Sequence, residues 1–154
     1  MGPPVIRAAR RHDRARVEEL LVRAGLPIEG VDEHLQSFFV EDDGRQVLGA
    51  AGLELYGEHA LLRSVVVADT LRRAGLGSTL TRRALHEARA CGVRAVYLVT
   101  TTAKLFFERL GFERATRGDV PARVQSSHEL QGACPSSAVV MRRQLSPTRR
   151  MPVS

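Results

Sequence analysis

The sequence predicts a mixed α/β domain, and two observations carry that prediction. The first is element order: three antiparallel strands, with helical segments after the first, then strand–helix–strand–helix, then two closing strands. The second is the stretch Leu61 to Ser78. There an apolar, β-branched run (Leu61–Val67) enters a turn with glycines at 75 and 77 and continues into a helical pattern. A chain of 154 residues suits one domain with a real core. Residues 1–145 are expected to form it, and 146–154, with two prolines and no apolar periodicity, to be a disordered tail.

Taken in order, Val5–Ala8 reads as a first strand. Asp13 is placed to N-cap a helix carrying Val17, Leu20, Leu21 and Ala24 at helical spacing, which Gly25 and Pro27 stop. Gly30–Ser37 suits a short helix and Phe38–Glu41 a strand. Asp42-Asp43-Gly44 makes a hairpin turn into the strand Val47–Tyr56, and Gly57-Glu58 turns the chain back into Leu61–Val67. Ser78–Ala90 repeats apolar residues every three to four positions, so Leu80, Ala84, Ala88 and Cys91 share a face, with Cys91 expected in the core. Ala95–Val99 is the next strand, residues 103–112 contain a helix ending in Gly-Phe, and Arg114–Thr116 is extended. Asp119-Val120-Pro121 starts a helical turn, and Ser137–Leu145 closes the chain.

The net charge of +6 does not mark a nucleic-acid binder. The basic residues are nearly all arginine (Lys104 is the only lysine) and are dispersed among 17 acidic ones, without an aromatic-lined stripe. Attraction to anionic ligands remains expected. Cys91 and Cys134 lack metal-ligand spacing, so no metal is expected, and a reduced cytoplasmic protein is the simplest reading. No apolar run approaches membrane-spanning length.

A strand, a glycine turn and a helix together aim unpaired backbone N–H groups and the positive end of a helix dipole at an anion. Glycine lets a phosphate approach the main chain with no Cβ in the way. Arg72 and Arg73 add charge-assisted donors. The turn is no P-loop, because Gly-Lys-Ser/Thr is absent, and no dinucleotide fingerprint, because position 80 is leucine. Arg-x-x-Gly-x-Gly after an apolar strand instead resembles the acetyl-CoA pyrophosphate loop of the GNAT N-acetyltransferases. Ala103-Lys104-Leu105-Phe106-Phe107-Glu108-Arg109-Leu110-Gly111-Phe112 resembles that family's second signature.

The resemblance implies a mostly antiparallel sheet of six to seven strands with helices on both faces. It implies acetyl-CoA as co-substrate, a small-molecule amine as acceptor, and compatibility with a homodimer. The central strand and the next one splay in this family, so the backbone of Val65, Val66 and Val67 would pair with the pantetheine arm. Arg72, Arg73, Ala74, Gly75, Leu76, Gly77 and Ser78 would hold the pyrophosphate. At two family positions the sequence departs: Thr100 stands in place of an asparagine, and Phe107 in place of the tyrosine acid. Thr100 can still hydrogen-bond the cofactor, whereas Phe107 has no proton to give.

At the catalytic end, Arg63, Ser64 and Val65 are the candidates. Strand alternation predicts opposite faces for Arg63 and Ser64. A buried arginine needs an anion, either a substrate carboxylate or an internal Asp or Glu. Glu54, Tyr56 and His59 are base candidates by position, Tyr97 is a phenol expected beside the cleft, and His12, His34, His86 and His128 are expected in solvent. The C-terminal stretch 119–138, taken with Leu61–Val67 and residues 100–112, resembles the ArsN-like arsenic-resistance acetyltransferases and, more loosely, short N-acetylglutamate-synthase-like enzymes. The first implies acetylation of an arsenic- or phosphinate-containing amino acid, the second of glutamate or another ordinary amino acid. A non-catalytic CoA-binding module is the third alternative.

Overall fold

The computed structural model describes residues 4–68, 75–133 and 137–146. Its strands are β1 (Val5–Ala8), β2 (Phe38–Asp42), β3 (Val47–Tyr56), β4 (His59–Val67), β5 (Ala95–Thr100), β6 (Glu113–Ala115) and β7 (Val139–Gln144). They form one 7-stranded sheet in the order β1-β2-β3-β4-β5-β7-β6. β4 and β5 pair parallel, and every other neighbouring pair is antiparallel. Helices α1 (Arg14–Arg23), α2 (Val31–His34), α3 (Leu76–Ala90), α4 (Lys104–Arg109) and α5 (Ala122–Gln125) complete the mixed α/β architecture.

Two-residue alternation decides what each face buries. On one face Ala51, Leu53, Leu62, Val96 and Leu98 pack under Leu80, Ala84 and Ala88 of α3 and Phe107 of α4. On the other, Val17, Leu20 and Leu21 of α1 cover Phe38, Val40, Ala50 and Val66. That same side carries Leu61, Tyr97 and Val140 beneath Val124 of α5. Both sheet faces are therefore roofed. Gly52, between Phe38 and Arg63 in the ladder, is glycine by necessity, because an added Cβ would enter the Phe38 ring.

Four local expectations change. Asp13 does not cap α1; its carboxylate accepts the Arg10 N–H of the preceding turn and pairs with Arg7 at 2.8 Å. The Gly30–Ser37 helix is split, with α2 followed by a 3-10 turn at Leu35–Ser37, because His34 leaves helical geometry. The helix after the glycine turn starts at Leu76, not Ser78, so Gly77 lies in its first turn behind a left-handed Gly75. Cys91 is exposed, not core: the helix ends at Ala90 and the chain turns away before the next core position.

Glu41 is buried on β2, its Oε2 without a hydrogen-bond partner among the described residues, and burial raises its carboxyl pKa above the ordinary value. Its protonated form thus favours the folded state below the unfolded pKa, and that contribution is lost as pH rises through the raised folded pKa. Glu41→Gln is expected to stabilise the protein by about 1 kcal/mol at neutral pH, the gain vanishing in acid. Urea denaturation at pH 7 and pH 4 checks it; a loss of stability at pH 7 contradicts the assignment.

Candidate active site

β4 and β5 pair only at His59–Ala95, Ala60–Val96 and Leu61–Tyr97. Beyond Leu61 the two strands diverge, and a cleft of about 750 Å³ opens between Leu62–Val67 on one side and Leu98–Thr100 with the start of α4 on the other. Gly75, Gly77 and Ser78 at the N-terminus of α3 wall one end. Ala24–Pro27, Arg63, Ser64 and Glu129 wall the other. Apolar side chains dominate the middle and polar groups gather at both ends.

The glycine-turn end is held open by the absence of a side chain. A Cβ on Gly77 would stand 3.3 Å from the Phe106 ring and 3.8 Å from Val67, in the gap between α3 and α4. The buried Thr81 hydroxyl donates to the Gly77 carbonyl at 2.8 Å and fixes this turn. The first-turn N–H groups of a helix have no intrahelical acceptor, so this end is a ready anion cradle. Arg72, Arg73 and Ala74, expected to share in it, lie outside the described residues, as do Cys134 and residues 147–154.

At the opposite end β4 breaks its alternation. Ser64 has φ +59°, and the β3 register shifts between Ala50 and Gly52, so Ser64 and Val65 together face Ala51. The bulge reverses every side chain after it: Leu61, Arg63 and Val66 lie toward α1 and α5, while Leu62, Val65 and Val67 lie toward α3. Arg63 and Ser64 are therefore not on opposite faces; Arg63 Nε donates to Ser64 Oγ at 3.0 Å.

Arg63 is satisfied internally. Its side chain is 0% exposed; Nη1 donates to Glu54 Oε2 at 2.8 Å and Nη2 to the Pro27 carbonyl at 3.3 Å, and Nε stands 3.8 Å from Glu129. Of the two partners open for Arg63, the internal carboxylate is the one present. Gly30 makes room for the guanidinium, since a Cβ there would lie 2.7 Å from Nη1. Burial by itself would raise the Glu54 pKa, but hydrogen bonds from Ser127, Tyr56 and Arg63 outweigh it and hold the carboxyl below its ordinary value. The Tyr56 hydroxyl donates to Glu54 Oε1 at 2.5 Å, and burial followed by that bond pushes its pKa up.

Several candidates are thereby relocated. Glu54, Tyr56 and His59 are not on the cleft wall, and Glu54 is a structural anion beneath it. Tyr97 packs with Leu61, Val124 and Val140 on the face opposite α3, away from the cleft. His34 is half-buried 3.8 Å from Glu54, not in solvent. Val65, Val66, Val67, Thr100 and Phe107 line the cleft, and Thr100 Oγ1 accepts the Ala103 N–H at 3.1 Å at the start of α4. Glu129 escaped sequence reasoning. Its segment has no periodicity, and only the fold carries it from residue 129 back to β4.

A strand pair that splays over a helix N-terminus, with a glycine turn between, defines a class. The family model for the acetyltransferase (GNAT) domain matches residues 34–114, and this chain belongs to that family. It is 31% identical over 143 residues to the uncharacterized protein YwlB of Bacillus subtilis, covering 90% of this chain and 95% of that one. An uncharacterized N-acetyltransferase of Chlorobaculum tepidum is 30% identical over 98 residues, which span 63% of each chain. N-acetylglutamate synthase from Neisseria gonorrhoeae, solved with coenzyme A and N-acetyl-glutamate, superposes with a TM-score of 0.81 at 19% identity. That match covers 95% of this chain and 36% of the synthase.

Proposed function

We propose that the protein transfers the acetyl group of acetyl-CoA to the amino group of a small, amino-acid-like acceptor. The observation that carries this reading is the cleft itself: a wedge between diverging strands, lined by valines and phenylalanines in its middle and ending at the first turn of α3. Its volume and mixed lining suit a small-molecule ligand with an anionic group at the helix end. In this reading Gly75, Leu76, Gly77 and Ser78 bind the pyrophosphate with Arg72, Arg73 and Ala74, and the backbone of Val65, Val66 and Val67 pairs with the pantetheine arm. Thr100 and Phe107 flank the thioester end, and main-chain N–H groups near the Ser64 bulge meet the oxyanion.

The acceptor approaches from the end walled by Arg63, Ser64 and Glu129. An arsenic- or phosphinate-containing amino acid is the acceptor favoured by the motif pattern in 61–67, 100–112 and 119–138, with detoxification as the role. Glutamate is the second reading, favoured by the fold likeness to N-acetylglutamate synthase. The test is CoA thiol release from acetyl-CoA with a panel of small amino acids, glutamate, and arsenical and phosphinate analogues. CoA binding without turnover on any member would turn the reading into a non-catalytic module.

No tyrosine lines the cleft among the described residues, so departure of the thiolate goes unassisted by a phenol. A thiol pKa of about 8.5 makes thiolate a tolerable leaving group, while an α-ammonium must first lose its proton, near pH ~8. kcat/KM for the acceptor is expected to rise along one limb and level off. A fall near pH ~10 in a folded enzyme would reveal a phenolic acid after all.

A further inference from the structure

The buried carboxylate Glu129 is the one group of its kind on the cleft wall among the described residues. We infer that Glu129 is the base of the transfer reaction, taking the proton that the acceptor nitrogen sheds as it becomes an amide; this rests on the acetyltransferase reading above. The other titratable groups sort themselves by position. Glu54 lies under the wall with both oxygens engaged, by Tyr56 and by Arg63. Glu29 lines the cleft but is exposed to solvent, where its charge is screened. His34 reaches Glu54, and His128 pairs with Glu33 at 3.2 Å; neither lines the cleft. Glu129 alone combines burial, 7% exposed, with a place on the wall beside Arg63 and Ser64.

The fold holds this carboxylate in place from two sides. The Glu129 backbone N–H donates to Ser127 Oγ at 3.2 Å, and Ser127 in turn bonds Glu54. Its Oε1 stands 3.8 Å from Arg63 Nε, the same nitrogen that bonds Ser64 at the bulge. Arg63 is thus a positioning residue that ties the carboxylate to the strand where the thioester would lie. A base must share a cavity with the reacting nitrogen and be oriented by a third group, and this arrangement supplies both.

The neutral amine attacks the thioester carbon, an N–C bond forms, and the nitrogen becomes cationic against the Glu129 carboxylate. One N–H proton passes to that carboxylate, the C–S bond breaks with its electron pair on sulfur, and the amide results. The proton then leaves Glu129 for the thiolate or for water.

The test uses the full chain, acetyl-CoA, and L-glutamate or the phosphinate amino acid, whichever wild type acetylates. In Glu129→Gln, kcat is expected to fall about 100-fold, within the usual range for a general base, with acetyl-CoA affinity and melting temperature close to wild type. In Glu129→Ala, added formate should restore activity in proportion to its concentration. A Glu129→Gln enzyme within about threefold of wild type overturns the assignment. So does a loss of activity that comes with a lowered melting temperature and no formate rescue, because Glu129 is then purely structural. Failure of the acetyltransferase reading is distinct: wild type itself would release no CoA with any acceptor.

Discussion

Arg63→Ala is expected to destabilise the protein by roughly 3–5 kcal/mol, because it leaves the buried Glu54 carboxylate without its guanidinium partner and frees Glu129 from the same cation. Charge burial is tolerable here because the guanidinium bonds Glu54 beside the Tyr56 and Ser127 hydroxyls and spends its remaining donors on Ser64 and Pro27. For a chain of this size such a loss lowers the melting temperature by about 10 °C or more. The cost belongs to the orphaned charge, so Arg63→Met combined with Glu54→Leu should recover much of it. The pH dependence has a definite sign. Glu54 has a lowered folded pKa, so its contribution is present above its ordinary value of 4.5 and is lost as pH falls through the folded value. The destabilisation of Arg63→Ala should therefore shrink in acid, where Glu54 can protonate. Urea denaturation across pH decides; a penalty under 1 kcal/mol at pH 7 would rule out this account of Arg63.

Gly77→Val is expected to weaken coenzyme A binding about 100-fold, roughly 2.8 kcal/mol, in a protein that still folds. The branched side chain would fill the space between Val67 and Phe106, where a Cβ is already 3.3 Å from the ring. It would also screen the first-turn N–H groups of α3 from a phosphate. Gly75 makes a useful contrast. A Cβ there meets nothing within 4 Å, but φ is +76°, so Gly75→Ala should appear mainly as a stability loss of about 1–2 kcal/mol. Calorimetric titration with CoA on both variants separates steric closure of the cradle from backbone strain. Unchanged affinity in folded Gly77→Val would remove the glycine turn from the binding site.

Local pattern was enough for the strands and for the position of the glycine turn. β3 was legible over its whole length, because a long apolar run between two turn signals has few other ways to fold. The glycine turn was legible because a strand pattern, two closely spaced glycines and a helical pattern follow one another in one continuous segment. α3 was legible on its buried face but two residues short at its start, since Leu76 and Gly77 read as turn until helical hydrogen bonds claim them.

What the sequence by itself determined, then, was the fold class, the order of the elements and the glycine-turn end of the cleft, all written in neighbouring residues. The acceptor end was decided by tertiary structure alone. One extra residue at Ser64 reversed the facing of β4 beyond it, an effect that strand alternation does not anticipate. The anion for Arg63 came from Glu54 on the preceding strand, and the carboxylate on the cleft wall came from Glu129, far along the chain. Tyr97 and His59, sharing the parallel ladder, turned away from the cleft. A periodic pattern reports which face of an element is buried, whereas the pairing of charges across elements depends on packing that brings residues distant in sequence within a few ångströms.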